Sequence, residues 1–442
     1  MDSRTKFLLL VLLSALGLGA GQLAAKDREP QPVEWWEPVT VATGNAMVGP
    51  WEMNDSEFHY LDDATPALTD DGDAVLVWVD NQAQDVFLQY YDDQDQPRFG
   101  EPVNVSGSPD IFSWLPRIQV ADSGHIYVLW QEIVFSGGSH GGEIFFARST
   151  DGGENFSEPL NLSQTTQGAG KGRLTEEQWD NGSLDFVLSP EGDIYVAWTE
   201  YEGELYVRRS TDDGESFNAA VQVVADHDRP ARAPALAVGT KGTIYLAWTE
   251  GEDPQANIQW AYSTDGGDSF DLQGPVHTTD GHDDTPSLAR DEVGGAHLVY
   301  AHSSIGPNDQ AQVFHAHLFH DGQPASEPTQ VSQPTTGTES ARAPTIDVDG
   351  EGQLYLIWEH HPHPGSRAQG LGFAFSADGG KSFTEPELIP GSDDPPSVNG
   401  SLQGQMGHKL AVNSAGGLAV ANSHFRLAQE SRVVMIRGTM TQ

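Results

Sequence analysis

The chain has no cysteine among its 442 residues, so no disulfide staples the fold and no lipid-anchor cysteine follows the N-terminal segment. Lysine is almost missing as well, with Lys6, Lys26, Lys171, Lys241, Lys381 and Lys409 the only six. Against 22 basic residues stand 65 acidic ones, a formal charge of −43. Nucleic acid and anionic membrane surfaces are excluded as partners, because both would be repelled. The charge reads either as a solvated surface suited to salty surroundings or as one that attracts cations. Long apolar runs are confined to the N-terminus, where Arg4 and Lys6 precede the run Phe7–Leu18 and small residues follow it. This is the pattern of a secretory signal peptide, and the run is too short to span a bilayer comfortably. We expect residues 1–25 to be the signal peptide, 26–36 a linker and 37–442 the folded domain. Removing Asp2, Arg4 and Lys6 with the leader takes away a net +1 and leaves −44. Export without cysteine fits a bacterial periplasm or exterior.

What the chain does have is repetition. The phrase Ser149-Thr-Asp151-Gly-Gly-Glu-Asn-Phe156 returns as Ser210-Thr-Asp212-Asp-Gly-Glu-Ser-Phe217, Ser263-Thr-Asp265-Gly-Gly-Asp-Ser-Phe270 and Ser376-Ala-Asp378-Gly-Gly-Lys-Ser-Phe383. Each copy lies between two alternating, strand-like runs, so it reads as a hairpin turn. The aspartate can accept backbone N–H bonds, and glycine can take positive φ. The phrase resembles the Asp box, or BNR repeat, of sialidase-like β-propellers. The resemblance implies that Asp151, Asp212, Asp265 and Asp378 are structural.

A second repeat precedes each turn: Pro-x-apolar, a tight turn, then an alternating run ending in an aromatic residue. It runs Pro66–Trp78, Pro116–Trp130, Leu184–Trp198, Pro234–Trp248, Pro286–Tyr300 and Pro344–Trp358, with a degenerate seventh copy at His408–Asn422. Each copy supplies two strands, and a third and fourth follow. Seven four-stranded units predict an all-β, seven-bladed propeller. The seventh copy runs out of chain after its third strand, Arg432–Thr439. Glu37-Pro38-Val39-Thr40-Val41, which matches Glu101-Pro-Val-Asn-Val105, is therefore expected to complete that blade and close the ring. The repeated tryptophan is expected to be core between blades.

In such a blade the loop after the second strand and the loop between blades share the face opposite the Asp-Gly turns, where propellers usually bind ligands. Two residues after the aromatic stand Asp80, Glu132, Glu200, Glu250, His302, His360 and His424, each a carboxylate or an imidazole. These either solvate the rim and cap loops or face a ligand. Two residues before the Pro position stand Ala64, Trp114, Gly182, Arg232, Asp284, Arg342 and Met406. Blades four to six thus offer Arg-Asp-Arg near the channel mouth, either a salt bridge clamping Asp284 or a clamp for a carboxylate or phosphate. Arg232-Ala-Pro234 and Arg342-Ala-Pro344 also resemble the Arg-Ile-Pro motif of sialidases, which implies that these arginines grip a substrate carboxylate. The resemblance departs in blade number and in a third arginine, for which Arg117 follows its Pro instead of preceding it. Sialidases also need a tyrosine nucleophile with a glutamate partner, and Tyr201 beside Glu200, or Tyr60, is the candidate.

Ten histidines are expected on the same face: His59, His140, His227, His282, His302, His360, His361, His363, His408 and His424, together with Met47, Met53 and Met406. Imidazole with thioether suits copper, and imidazole with carboxylate suits zinc. Equivalent positions in adjacent blades lie about 10 Å apart, so a site would need His302, His360 or His424 together with the loop histidines His361 and His363. His315, His317 and His320 are expected to be surface residues of an outer strand. Three functions remain open on this reading. The first is an exported protein binding a small anionic ligand or a metal ion over blades four to six. The second is a sialidase-like exo-glycoside hydrolase, with Glu200 or Glu250 as acid or base on a glycan. The third is a scaffold for a protein partner.

Overall fold

The computed structural model describes residues 33–134, 141–278, 281–319, 323–334, 336–394, 397–402 and 408–441. The expected signal peptide, most of the linker, His140, His320 and Met406 lie outside them. Six four-stranded antiparallel sheets follow one another along the chain, and a seventh sheet joins its two ends. In blade four the strands are Ala231–Val238, Ile244–Glu250, Asn257–Ser263 and Asp271–Pro275, paired in that order. The seventh sheet pairs Leu410–Val412, Gly417–Arg426 and Glu430–Met440 in order, and Val39–Gly44 from the other end of the chain then lies beside Glu430–Met440. Val33–Trp35 pairs with the far end of the same strand, Val33 opposite Met440. The expected closure is observed, and the all-β seven-bladed propeller with it. No helix of the described residues is long and apolar enough to cross a membrane.

The strands are buried on both faces, and their alternation decides which neighbour each side chain meets. On Ile244–Glu250, Ile244, Leu246 and Trp248 pack toward blade three, while Tyr245 and Ala247 pack toward blade five. Among the described residues a separate apolar cluster fills each of the seven gaps between blades. Trp78, Trp130, Trp198, Trp248, Tyr300 and Trp358 each enter the gap toward the preceding blade, so the repeated aromatic is core. In blade seven Asn422 takes that place and donates to the Ser392 carbonyl at 3.1 Å.

The four Asp-Gly turns share one hydrogen-bond pattern. In blade four, Asp265 Oδ1 accepts from Ser263 Oγ at 2.7 Å and from Ser269 N–H at 3.0 Å, and Gly267 N–H donates to Ser263 Oγ at 2.9 Å. The donors hold the Asp151, Asp212 and Asp265 carboxyls down at about 2 and lower that of Asp378. The closing phenylalanine turns inward: Phe217 meets Phe146 edge-on at 5.1 Å. Room for it comes from the glycine. Gly214 sits at φ +77°, and a methyl group there would come within 2.8 Å of the Phe146 ring.

Gly242 has the same backbone sign, φ +76°, but open space around it. Gly242→Ala is therefore expected to cost about 1–2 kcal/mol, the left-handed backbone alone. Gly214→Ala should cost about 1–3 kcal/mol more, through overpacking against Phe146. Urea unfolding of the two variants checks this; equal losses would show that the turn does not need the space.

Candidate functional site

The inner strands of six blades meet around a constriction lined by Arg117, Gly182, Leu184, Ala233, Pro234, Thr285, Pro286, Ser287, Ala343, Pro344 and His408. Its free volume is about 20 Å³, room for a water or two. In blades four, five and six the inner strand reaches it through the same irregularity. The pairing slips between Arg232 and Ala235, between Asp284 and Ser287 and between Arg342 and Thr345, and Ala233, Thr285 and Ala343 take positive φ. Such bulges re-aim side chains. Blade one bulges between Asp62 and Thr65, which puts Asp62, not Ala64, at the place of Arg232. Aligning the repeats on Pro66 hid this, because blade one carries Ala64 where blades two, four, five and six carry the proline.

The Arg-Asp-Arg row is not a symmetrical clamp. Arg232 is 1% exposed. Its guanidinium bonds the Gly251 carbonyl, the Arg173 carbonyl at 3.3 Å, Asp284 at 3.1 Å, Asp253 at 3.4 Å and His282 at 3.2 Å. A hairpin inserted between blades two and three, Lys171–Thr175 with Gln178–Asn181, lies over it, with Gly172 against its stem. Burial works against the charge on Asp284, but Arg232 and then His282 hold its carboxyl down at about 2. Arg342 turns away and donates to the Pro307 and Asp309 carbonyls. Neither guanidinium is presented to an anionic ligand, because backbone carbonyls take the terminal nitrogens of Arg342, and carbonyls together with Asp253 and Asp284 those of Arg232.

The other candidates disperse in the same way. Glu200 accepts from Thr165 Oγ1 at 3.0 Å, and Glu250 pairs with Arg229 and accepts from Gln259 at 3.1 Å. Burial raises both carboxyls. The homologous Glu132 accepts from Trp130 Nε1 at 3.0 Å, so carboxylates at this register secure loops and the core indole. Tyr201 stacks on Trp179 at 4.2 Å, and Tyr60 packs edge-on to Phe425 in the core. His302 bonds Asp283 at 2.6 Å, and His424 bonds Asp394 at 3.3 Å. His361 is buried against the Ser366 carbonyl at 2.8 Å, and exposed His363 bonds the Pro364 carbonyl at 3.0 Å. These histidines are not brought together, since His360 and His361 point to opposite sides of one strand, His363 is exposed in the loop that follows it, and His302 and His424 belong to blades five and seven. Among the described residues the one group of three metal-ligating side chains is elsewhere, at Asp291, His297 and His317. Of the expected surface histidines, His315 is 4% exposed and His317 is mostly buried.

A wider opening lies between blades five and six, a groove of about 250 Å³. Trp358, Pro334, Pro386 and Leu388 form its apolar lining, and Gln312, Gln333, Glu339, His360 and Glu387 its polar one. Gly372 lets the Trp358 indole lie across the third strand, since a Cβ there would be 2.3 Å from the ring. The Ser332 hydroxyl fixes Gln312 at 2.8 Å. Burial lowers His360 while Glu339 raises it, and the net direction is down. Of the candidate site residues read from sequence only His360 lies here; Pro334, Glu339, Pro386, Glu387 and Leu388 come from the connection after blade five and the outer strand of blade six, which no repeated phrase marks.

No family model matches the chain, and no curated protein matches it. Solved structures do. The chain is similar to polysaccharide lyase Uly1, with TM-score 0.56 and 10% identity over 92% of this chain and 100% of that one. It is also similar to an ulvan lyase of family PL25 bound to -[GlcA(1-4)Rha3S]-, with TM-score 0.54 and 14% identity over 90% of this chain and 95% of that one. A Hadza microbial sialidase aligns more distantly, with TM-score 0.43 and 14% identity over 81% and 73%. Identities this low show a shared propeller fold.

The buried acids set the pH response. Burial raises Asp62 well above the ordinary range, and holds Asp63 and Asp347 up at about 6. A raised carboxyl stabilises the fold below its unfolded value, and that contribution is lost as pH rises through the folded value. The turn aspartates and Asp284, depressed to about 2, stabilise above about pH 4 and lose this as pH falls. The melting temperature should therefore peak at about pH 4 and fall from there to about pH 6. Asp63→Asn, which keeps a residue tolerant of the positive φ, should flatten the fall above pH 5; an unchanged slope would clear Asp63 of that role.

Proposed function

We propose that this is an exported carbohydrate-binding propeller, and that its ligand is a neutral oligosaccharide held in the groove between blades five and six. The groove itself carries the reading. Pro334, Pro386 and the exposed Leu388 offer apolar surface for a sugar ring, with the buried Trp358 indole behind them, and amide, imidazole and carboxylate groups converge on it for hydroxyls. Export rests on the N-terminal leader pattern, and we infer that the four Asp-Gly turns are Asp boxes in the BNR sense. The propeller fold shared with polysaccharide lyases supports a glycan over the anionic small molecule or metal ion that the Arg-Asp-Arg row suggested. Charge argues for a neutral glycan: Glu339 and Glu387 line the groove of a chain at −43, and a uronate or sulfated sugar would meet them both. Glu200 and Glu250 belong to different blades and are committed to Thr165 and Arg229, so the reading is of binding, without hydrolysis by that pair.

Titration calorimetry of the mature chain against neutral and uronate-containing oligosaccharides tests this. Binding of a neutral oligosaccharide is expected, weakened about tenfold in His360→Ala by loss of one hydrogen bond. Binding unaffected by that change and by Glu387→Gln would move the site off the groove. Turnover of fluorogenic glycosides would convert the reading to a hydrolase.

A further inference from the structure

Blade five departs from its neighbours in one place, on the face of the first-to-second-strand turns, away from the groove. In blade four the cross-strand partners are Tyr245 with Tyr262, and Trp260 stands opposite Ala247. In blade six they are Tyr355 with Phe375, and Phe373 stands opposite Ile357. Blade five carries His297 with His317, and His315 opposite Val299. Three positions filled by aromatic rings on both sides are thus all imidazoles here.

The three are packed around one carboxylate. Asp291, in the turn before strand Ala296–Ser303, places Oδ2 2.7 Å from His317 Nε2 and Oδ1 4.0 Å from His297 Nε2. His297 Nδ1 is engaged 3.0 Å from His315 Nε2, so its Nε2 is the nitrogen turned to Asp291, too far for a hydrogen bond. The donor atoms of Asp291, His297 and His317 all lie within 4.8 Å of one another. An ion with bonds of about 2.0–2.2 Å to each would fit after small side-chain rotations.

The surroundings leave room for these rings. Gly295 has no left-handed backbone to explain it, yet a Cβ there would come within 2.6 Å of the Leu318 carbonyl and 2.7 Å of the His317 ring. Blade four has Thr243 and blade six Gln353 at that position. Gly380, the left-handed turn glycine of blade six at φ +81°, faces His315 as Gly214 faces Phe146, and a Cβ there would come within 2.2 Å of the ring. His315 has the place of a residue that orients a ligating imidazole through its second nitrogen.

We propose that Asp291, His297 and His317 form a zinc(II) site in blade five, oriented by His315. Two imidazoles and a carboxylate are a donor set zinc accepts, and the partial exposure of Asp291 and His317, 13% and 18%, leaves a path for the ion and for a water as fourth ligand.

The test uses tag-free full-length protein stripped with chelator, titrated with zinc(II) against a chromophoric indicator. One tight equivalent is expected, weakened at least 100-fold in His297→Phe and in Asp291→Asn, and unchanged in His302→Gln and His363→Gln. His297→Phe restores the aromatic that the flanking blades carry, so it is expected to fold; should it not, Asp291→Asn and His317→Gln decide alone. Cobalt(II) should give the intense visible bands of a four-coordinate site, lost in the same variants. No tight equivalent, or one that survives Asp291→Asn and His317→Gln, overturns the proposal.

Discussion

Ring closure is the constraint on which the rest depends. Each blade buries both faces, so no blade is stable unless both of its gaps are filled. The gap between blades seven and one must be filled by residues nearly a chain length apart. Leu61, Leu76 and Trp78 meet Ala419, Val433 and Met435 there. Val39–Gly44 secures that gap by pairing with Glu430–Met440, which gives the last blade the fourth strand its neighbours have. Loop-closure entropy is spent once for the whole ring, and seven similar apolar clusters share the return.

Closure brings a second requirement at the axis. The inner strands are edges, and their free N–H groups face the next blade without a strand to receive them. Buried side chains do so instead. Asp63 Oδ2 accepts from Leu115 N–H at 3.3 Å, Asp185 Oδ2 from Leu236 at 2.8 Å and Asp347 Oδ2 from Val412 at 2.7 Å. Asp62 accepts from Leu402 at 2.7 Å. These carboxyls are shifted upward because burial is the cost of that bonding. A cluster of perturbed acids near a channel is ordinarily a pointer to catalysis. In this ring the same shifts follow from holding blades together.

The fold was legible in the sequence because it is written seven times. One Asp-Gly turn decides little, but four copies at matching offsets, with an aromatic-terminated run before each, leave one architecture. Even the closing strand could be read, from the kinship of Glu37–Val41 with Glu101–Val105. The site was legible only in part, since repetition speaks about what blades have in common and binding depends on where they differ. Arg232 and Arg342 lie near the axis as the repeat required. What their forks hold was set by the 171–181 hairpin and the 307–309 loop, which belong to no repeat. His315 and His317 were misjudged because strand position was read without strand register. Facing His297 with His317 across two strands needs the pairing offset, and the turn residues Asp291–Gly295 fix it.

A chain this acidic has few cations to spend, and most of those on the ligand face are spent internally. Lys409 pairs with buried Glu359, Arg173 with Glu202 and Glu252, Arg232 with Asp284, and Arg229 with Glu250. Burial opposes the charge on Glu359, yet Lys409 holds its carboxyl down at about 2. Breaking such a pair is costly, because the remaining charge has no water to return to. Using these cations to grip an anion would therefore strip the carboxylates they already neutralise. A ligand recognised by hydroxyl bonding and ring stacking asks nothing of them. The proposed glycan would leave these pairs in place, because the lining of the groove between blades five and six includes none of these cations.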